Sequence, residues 1–335
     1  MLRRILQFFF VTLMAMALVG FTVWAAAALW FRAPGSDQVQ LLISAAFAVL
    51  GAMTLFVWLR KKRASALLPF VIASVLLLAW WTSLQPPSDR TWAPDVARQV
   101  SGQINGDILT LNGVRNFEWG EDGSFVENWE TQVYNLSELK STDMFLSYWA
   151  GPEMAHFILS FGFADGQYLA WSIEVRRQVN GVFSPVADAF KENPIIIVAA
   201  TEEDIVGLRT NVRKEDVQLF RLNPDPDIAR ALLEEYVIDS NALAAKPRWY
   251  NSITTNCTTV VLKMMRAIGN APPFDWRIIV NGYLPDYGHE LGSLNTEYSI
   301  EKLRELGSVS SKGQAFGIRP GFSEAIRQGV PTPKN

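Results

Sequence analysis

Cysteine and histidine are scarce in this sequence. The chain of 335 residues contains one cysteine and two histidines, and charged residues make up 19% of it. A single cysteine excludes a disulfide-stapled scaffold, and a hydrophobic content of 49% excludes an intrinsically disordered chain. No His-x-x-x-His or Cys-x-x-Cys pattern, no phosphate-binding glycine loop and no Gly-x-Ser-x-Gly elbow occurs. We therefore expect no metal and no cofactor, and neither nucleotide nor serine-hydrolase chemistry.

Charge is absent from three long apolar runs near the N-terminus. They cover about residues 5–31, 39–59 and 64–84. At 1.5 Å per helical residue, each run is long enough to span the roughly 30 Å of bilayer hydrocarbon. A cleaved signal peptide is the alternative for the first run, but its apolar region would be only about 7 to 15 residues long. The sequence predicts a membrane anchor at residues 1–84 and a globular domain at residues 85–335.

The charges of the two parts have opposite signs. Residues 1–84 contain seven basic residues and one acidic residue, whereas residues 85–335 contain 23 basic and 32 acidic residues, a net charge of −9. The positive-inside rule assigns Arg3, Arg4 and the basic cluster at 60–63 to the cytoplasm. Three crossings then place the globular domain outside. The acidic charge of the globular domain argues against a nucleic-acid partner. Its attachment to the membrane anchor makes membrane lipid the expected partner.

The globular domain has the patterns of an α+β fold with a central antiparallel sheet. Two runs rich in aromatic and branched residues flank Ala164-Asp165-Gly166 and predict a β-hairpin. Asn112-Gly113 predicts a second hairpin between residues 108–111 and 114–117. Further strands are expected at 194–200 and 217–222, a helical turn at 204–208, and helices at 224–245 and 257–268.

Cys257 is a candidate nucleophile. It directly follows the cap-forming Thr254-Thr255-Asn256 at a predicted helix start, where free N–H groups and the helix dipole favour a thiolate. The same N–H groups suit the oxyanion of a tetrahedral intermediate. A buried, inert thiol is the alternative, because free cysteine is among the most buried residue types.

His156 is the candidate base. If Ala164-Asp165-Gly166 forms a three-residue loop, His156 lies opposite Glu174, and the carboxylate can orient the imidazole. A two-residue Asp165-Gly166 turn would place Glu174 on the other face. His289 lies in a glycine-containing stretch that predicts a surface loop and is the weaker candidate.

Several of these motifs occur together in one family. The chain resembles the Lnb N-terminal periplasmic domain family over about residues 95–295. The motifs include Arg115-Asn116-Phe117, Ala155-His156-Phe157, Ser160-Phe161-Gly162-Phe163, Ser172-Ile173-Glu174-Val175-Arg176-Arg177, Leu208-Arg209-Thr210-Asn211, Trp249-Tyr250-Asn251 and Asn256-Cys257-Thr258-Thr259. Members resemble lipoprotein N-acyltransferases with a Cys/His site. The order His, acid, Asn-Cys is similar to circularly permuted papain-like enzymes. The three predicted membrane spans precede this region and are not part of the resemblance.

The resemblance implies a papain-like thiol enzyme of the bacterial inner membrane with a periplasmic catalytic domain. Cys257, His156 and Glu174 are its expected catalytic residues. The residues expected to support the substrate or the oxyanion are Asn256, Thr258, Tyr250 and Ser172. The expected reaction forms a thioester on Cys257, with a phospholipid as acyl donor and the N-terminal amine of a lipoprotein, or water, as acceptor. A cysteine peptidase or amidase of the envelope and a non-catalytic binding module are the alternatives.

Overall fold

The N-terminal charge-free runs form three helices. The structure is a computed structural model that describes residues 1–61 and 64–333. The helices are α1 (Leu2–Arg32), α2 (Asp37–Lys61) and α3 (Leu68–Ser83), the last preceded by a 3₁₀ turn at Ala64–Leu67. Three candidate membrane spans, Leu2–Arg32, Asp37–Arg60 and Ser65–Ser83, agree with the predicted runs. Lys62 and Arg63 of the predicted basic cluster lie outside the described residues.

The first compact unit comprises residues 1–86 together with residues 184–192. Within it, the rings of Phe21, Phe47 and Phe70 join the three helices, with centroids 5.6 to 6.4 Å apart. The inserted segment stacks Phe190 on Phe31 at 5.3 Å. The second unit comprises residues 87–183 and 193–335. Residues 184–192 thus pack with the helices, and the predicted domain boundary at residue 84 stays a prediction.

The second unit is built on one large sheet. Its strands run in the order β1-β2-β9-β8-β7-β6-β10, with β5 also paired to β2, and β3 and β4 form a separate ribbon. All pairings are antiparallel except a single parallel pair between β2 and β9. The strands are β1 (Ser101–Asn105), β2 (Ile108–Arg115), β3 (Glu118–Trp119), β4 (Phe125–Val126), β5 (Trp129–Asn135), β6 (Leu139–Tyr148), β7 (Ala155–Phe163), β8 (Tyr168–Val175), β9 (Ile195–Ala200) and β10 (Asp216–Leu222).

Helices cover both faces of this sheet. One hydrophobic core joins the sheet to α6, α7 and α9, and the other joins it to α5, α10 and α11. The helices are α4 (Pro185–Ala189), α5 (Glu202–Gly207), α6 (Pro226–Ala245), α7 (Cys257–Ala267), α8 (Leu284–Glu290), α9 (Ile300–Gly307), α10 (Ser310–Phe316) and α11 (Phe322–Arg327), with a π-helical turn at Leu208–Val212. The predicted α+β class with an antiparallel central sheet is confirmed.

The predicted central hairpin is confirmed, including its register. β7 pairs with β8 so that Ile158 faces Ser172 and Gly162 faces Tyr168. The backbone N–H of Phe163 donates to the Gln167 carbonyl at 2.9 Å, which closes the three-residue loop. The predicted strands at 194–200 and 217–222 correspond to β9 and β10.

Three predicted features differ from the structure. Asn112-Gly113 does not make a turn, because β2 runs through it and uses the positive φ of Gly113 (82°) for a register shift opposite β5. The actual hairpin turn lies between β1 and β2, at Gly106. His289 lies in α8 instead of a loop. The helix predicted from residue 224 begins at Pro226, because the Asp225 side chain caps it by accepting from Asp227 N–H.

A buried ion network holds the C-terminal helix α11 on the sheet. The guanidinium of Arg327 donates to Asp143 at 2.8 and 3.0 Å and to Glu202 at 2.6 Å, and both carboxylates are fully buried. Replacing Arg327 would leave these two carboxylates without this shared cation.

We predict that Arg327→Met lowers the free energy of unfolding by about 3 to 5 kcal/mol, because breaking a buried ion pair leaves uncompensated charge. Urea unfolding of the full chain in detergent measures this. Arg266→Met, which changes an exposed arginine on α7, is the matched control and should change stability by less than about 0.5 kcal/mol. Equal transition midpoints for the two variants would contradict the prediction.

Candidate active site

A complete capping box fixes Cys257 as the first residue of α7. The Asn256 side chain accepts from the N–H groups of Thr258 (3.1 Å) and Thr259 (2.9 Å). In return, Thr259 Oγ1 accepts from the Asn256 N–H at 2.8 Å. These bonds satisfy donors that would otherwise be orphaned at the helix start and define where the helix begins. The predicted helix start is confirmed.

Asn281 joins the Cys257 thiol to the start of β7. Its Nδ2 donates to Cys257 Sγ at 3.5 Å and to the Ala155 carbonyl at 2.7 Å, and its Oδ1 accepts from the Ala155 N–H at 3.0 Å. The next residue, Gly282, approaches the backbone so closely that a Cβ there would lie 2.0 Å from the Pro152 carbonyl oxygen. A side chain at residue 282 would therefore displace Asn281.

The His156 imidazole is held through its Nε2 atom. This atom lies 2.6 Å from Ser172 Oγ and 3.1 Å from Glu174 Oε1. Ser172 Oγ donates to Glu174 Oε1 at 2.7 Å, so it accepts from the imidazole. Two acceptors around Nε2 require the proton on that nitrogen, and the neutral ring therefore carries its lone pair on Nδ1.

The sheet opens where these side chains meet. The ladder between β7 and β8 ends at the pair Ile158–Ser172. Beyond that pair β7 continues beside β6 as far as Ala155, and β8 continues beside β9 as far as Val175. His156 and Glu174 thus keep the facing positions that the register predicts, and their side chains remain in contact beyond the last paired residues.

An arginine also anchors the Glu174 carboxylate, at the same oxygen that His156 and Ser172 contact. Arg209, in the π-helical turn, donates to Glu174 Oε1 at 3.1 Å and to Glu215 Oε2 at 3.2 Å. Glu215 also accepts from Ser147 Oγ. π-helical turns frequently occur at functional sites, and this one directs a buried guanidinium at the candidate triad.

Burial and charge set the protonation of this cluster. Burial, reinforced by the Arg209 charge, lowers the pKa of His156 below its ordinary value of 6.5, against the opposing pull of Glu174. Burial alone would raise the pKa of Glu174, but His156, Arg209 and Ser172 hold this pKa well below 4.5. Near pH 7 the cluster therefore holds a neutral imidazole and an ionised carboxylate.

The Cys257 thiol differs from the predicted thiolate. Burial raises its pKa to about 11, although the backbone N–H groups of Phe157, Cys257 and Thr258 favour the anion. The helix start supplies the expected donors, but desolvation outweighs them. Within residues 1–61 and 64–333, no hydrogen bond joins Sγ to the imidazole, and Nδ1 of His156 has no partner. Such contacts often tighten only when substrate binds.

The structure gives the four predicted supporting residues different positions. Ser172 contacts the triad and links the imidazole to the carboxylate. The side chain of Asn256 is occupied by the helix cap, and Thr258 Oγ1 donates to the Ile278 carbonyl at 2.7 Å. Tyr250 is buried in the hydrophobic core, with its ring 6.4 Å from Phe183. His289 contacts the Tyr298 carbonyl instead of the triad.

Sequence reasoning missed Arg209 and Asn281 as parts of the site. Arg209 belongs to the Leu208-Arg209-Thr210-Asn211 motif, which carried the family resemblance without an assigned role. No sequence motif around Asn281 indicates a site residue, apart from the glycine that follows it, Gly282. Their positions depend on the packing of the π-helical turn and of residues 271–283 against the sheet.

An apolar cavity is lined in part by chain neighbours of the candidate nucleophile and base. It has a volume of about 440 Å³, and Phe157 and Thr258, which directly follow His156 and Cys257, contribute to its wall. Most other residues in the wall are hydrophobic side chains from β6, β7, α6, α7 and α8, among them Met144, Leu159, Leu232, Val261, Leu262, Met265, Leu284 and Leu291.

A larger, open cavity of about 1000 Å³ lies next to Gly282. Its wall carries charges of both signs and aromatic rings, including Tyr148, Trp149, Arg213, Lys214, Glu215, Asp216, Tyr283, Asp286 and Arg304. Residues adjoining Cys257 and Asn281 therefore border two cavities of contrasting polarity.

Comparison with known protein families finds one match. Residues 125–282 match the family described as the Lnb N-terminal periplasmic domain, and Cys257, His156, Glu174, Arg209 and Asn281 all lie within the match. No curated protein and no solved structure matches the chain, so the similarity to papain-like enzymes stays a prediction. Over these residues the chain is similar to this family, and the match together with the three candidate spans fits a membrane protein with a periplasmic C-terminal domain.

Proposed function

We propose that this protein is a thiol acyltransferase or hydrolase that forms a thioester on Cys257. The observation that carries the proposal is the His156 ring, which Ser172 and Glu174 hold through Nε2 while Nδ1 is left unpartnered within the described residues. The Cys257 thiol contacts the backbone N–H of Phe157, the residue that follows His156 in the chain. A nucleophile near a base that a third group orients is the arrangement of covalent catalysis.

The proposed reaction starts from two neutral groups. Nδ1 of His156 accepts the thiol proton as Sγ attacks a carbonyl carbon, which yields a tetrahedral oxyanion and an imidazolium that Glu174 stabilises. When the carbon–oxygen bond of an ester breaks, the imidazolium gives its proton to the leaving alcohol. An amine or water then attacks the thioester, His156 accepts the proton of that nucleophile, and the departing sulfur regains a proton.

The oxyanion would meet two donors near the sulfur. One is the backbone N–H of Cys257 at the helix start, and the other is Nδ2 of Asn281, which already donates to Sγ. Both are fixed before substrate arrives, the former by the helix cap and the latter by its bonds to Ala155. Such fixed donors stabilise charge without reorganisation during the reaction.

The cavities favour an acyl chain over a peptide as the donor group. A hydrophobic cavity bordered by Thr258 suits a long hydrocarbon, and the polar cavity next to Gly282 suits a charged acceptor such as an amine. A phospholipid donor and a lipoprotein N-terminal amine as acceptor agree with the family and with the anchor. The distribution of basic residues supports an inner-membrane protein with its N-terminus in the cytoplasm and its globular domain in the periplasm.

A non-catalytic binding module is the second candidate, and one observation favours it. Burial raises the pKa of Cys257 to about 11, which makes the free thiol a poor nucleophile without an acting base. Loss of activity on removing the base separates the two candidates.

We predict that Cys257→Ala and His156→Ala each reduce lysophospholipid release from phosphatidylethanolamine vesicles by about a thousandfold or more, because each removes a member of one catalytic unit. The full chain reconstituted with labelled lipid measures this. His289→Ala, at the second histidine, is the matched control and should keep wild-type activity. Folded variants of Cys257 and His156 with full activity would rule out the proposed chemistry.

We predict that activity falls on the acid side of pH 6.5, since the base must be neutral and burial lowers the pKa of His156 below that value. Glu174→Gln should move the acid limb to still lower pH, because the carboxylate raises the pKa of His156, and should also lower kcat. A pH profile of kcat for both proteins tests this. A limb that stays in place or moves upward in Glu174→Gln would contradict the assignment.

We predict that Asn281→Ala lowers kcat by about 100- to 1000-fold, the effect of losing one oxyanion donor. Asn295→Ala is a close control, since both asparagines are 7% exposed and donate from Nδ2 to a backbone carbonyl. The result to measure is kcat for each variant at matched thermal stability. Equal losses in both variants would mean that Asn281 acts only through the fold.

A further inference from the structure

Residues 271–283, named here the aromatic loop, expose large hydrophobic side chains next to the apolar cavity. Phe274 is 68% exposed and Trp276 is 56% exposed, and Ile279 is also exposed. Clustered exposed hydrophobic residues commonly mark an interaction surface. Phenylalanine and tryptophan are also the residue types that bind at the boundary between water and lipid.

The aromatic loop is fixed to the domain by hydrogen bonds along its length, in addition to those that Asn281 makes with Ala155. Tyr287 Oη donates to the Pro273 carbonyl at 2.6 Å, Thr258 Oγ1 donates to the Ile278 carbonyl at 2.7 Å, and the Gly282 N–H donates to the Glu153 carbonyl at 3.0 Å. The Trp276 ring lies 5.6 Å from the Tyr283 ring. The exposed rings are therefore held outward by an ordered backbone.

The two charged residues of the aromatic loop neutralise each other. Arg277 donates to Asp275 at 2.8 and 3.0 Å and to Glu290 at 2.6 and 2.7 Å. Its guanidinium also lies 5.0 Å from the centre of the Tyr287 ring. A paired charge costs less to bring to a lipid surface than a lone one, because its partner remains in contact.

The same loop borders the apolar cavity. Ala271, Pro272 and Ile278 form part of the cavity wall, and Thr258, next to the nucleophile, forms another part. A hydrocarbon chain that leaves a bilayer at the exposed rings would thus pass from one apolar surface to another.

Chain connectivity keeps this domain close to a bilayer. The third span ends at Ser83, and Trp92 is already paired with Gln178 in the second unit. The eight residues between them reach at most about 28 Å when fully extended. The tether therefore keeps a lipid surface at high local concentration for this domain, and this is the argument for lipid as the occupant of the aromatic loop.

We propose that the aromatic loop inserts Phe274 and Trp276 into the adjoining lipid surface and guides an acyl chain into the apolar cavity. Its role in substrate delivery rests on the proposed acyltransferase or hydrolase function, whereas the insertion itself does not. Two experiments keep these parts distinct.

The first experiment measures insertion without catalysis. Full-length Cys257→Ala protein carrying Phe274→Cys or Trp276→Cys is labelled with an environment-sensitive fluorophore and reconstituted into phosphatidylethanolamine and phosphatidylglycerol vesicles containing nitroxide-labelled acyl chains. Ile238→Cys, on α6 and 58% exposed, is the matched control. Quenching at positions 274 and 276 but not at 238 supports insertion. Unquenched labels at 274 and 276, or equal quenching at all three positions, would overturn the proposal.

The second experiment measures delivery. In protein with Cys257 intact, the Phe274→Ser, Trp276→Ser double variant should turn over phospholipid in vesicles about tenfold or more slowly, because two hydrophobic anchors are lost. Turnover of a water-soluble short-chain ester should be unchanged. An equal loss with both substrates, or no loss with vesicles, would refute the delivery role. If the wild type turns over neither substrate, the proposed function fails, and the quenching result still decides insertion.

Discussion

The contact of His156 Nε2 with Ser172 and Glu174 depends on the register of one β-hairpin. The three-residue loop at Ala164–Gly166 places these side chains on one face of the sheet, and a shift by one residue would move Glu174 to the other face. The same contact fixes the tautomer of the imidazole. The lone pair on Nδ1, and hence the capacity to act as a base, follows from how two strands pair.

Burial keeps the thiol and the imidazole of this site neutral at rest. The burial that raises the pKa of Cys257 also lowers the pKa of His156, so thiol and imidazole both favour their uncharged forms. The imidazole would become charged only when a substrate carbonyl is attacked, and Glu174 and the donors around Sγ are already placed to stabilise the imidazolium and the oxyanion.

The sequence predicts those features that local patterns determine. Aromatic runs around Ala-Asp-Gly predict β7 and β8, and the capping residues before Cys257 predict the start of α7. Gly113 shows where prediction from local sequence fails. A glycine with positive φ can form a turn or a β-bulge, and the local sequence does not distinguish the two. Arg209 and Asn281 reach the site only through tertiary packing. The raised pKa of Cys257 depends on how deeply the helix start is buried, which no local pattern reports.

The central claim is that Cys257 carries an acyl group with His156 as its base, and the mass of the cysteine-containing peptide tests it most directly. The full chain is incubated in vesicles of a phospholipid with one acyl composition, quenched in acid, digested and weighed, with His156→Ala in parallel. The account predicts a hydroxylamine-sensitive gain of one acyl chain on Cys257 in the wild type and none in the variant. An unmodified Cys257 in the wild type, or equal acylation in both proteins, would contradict it.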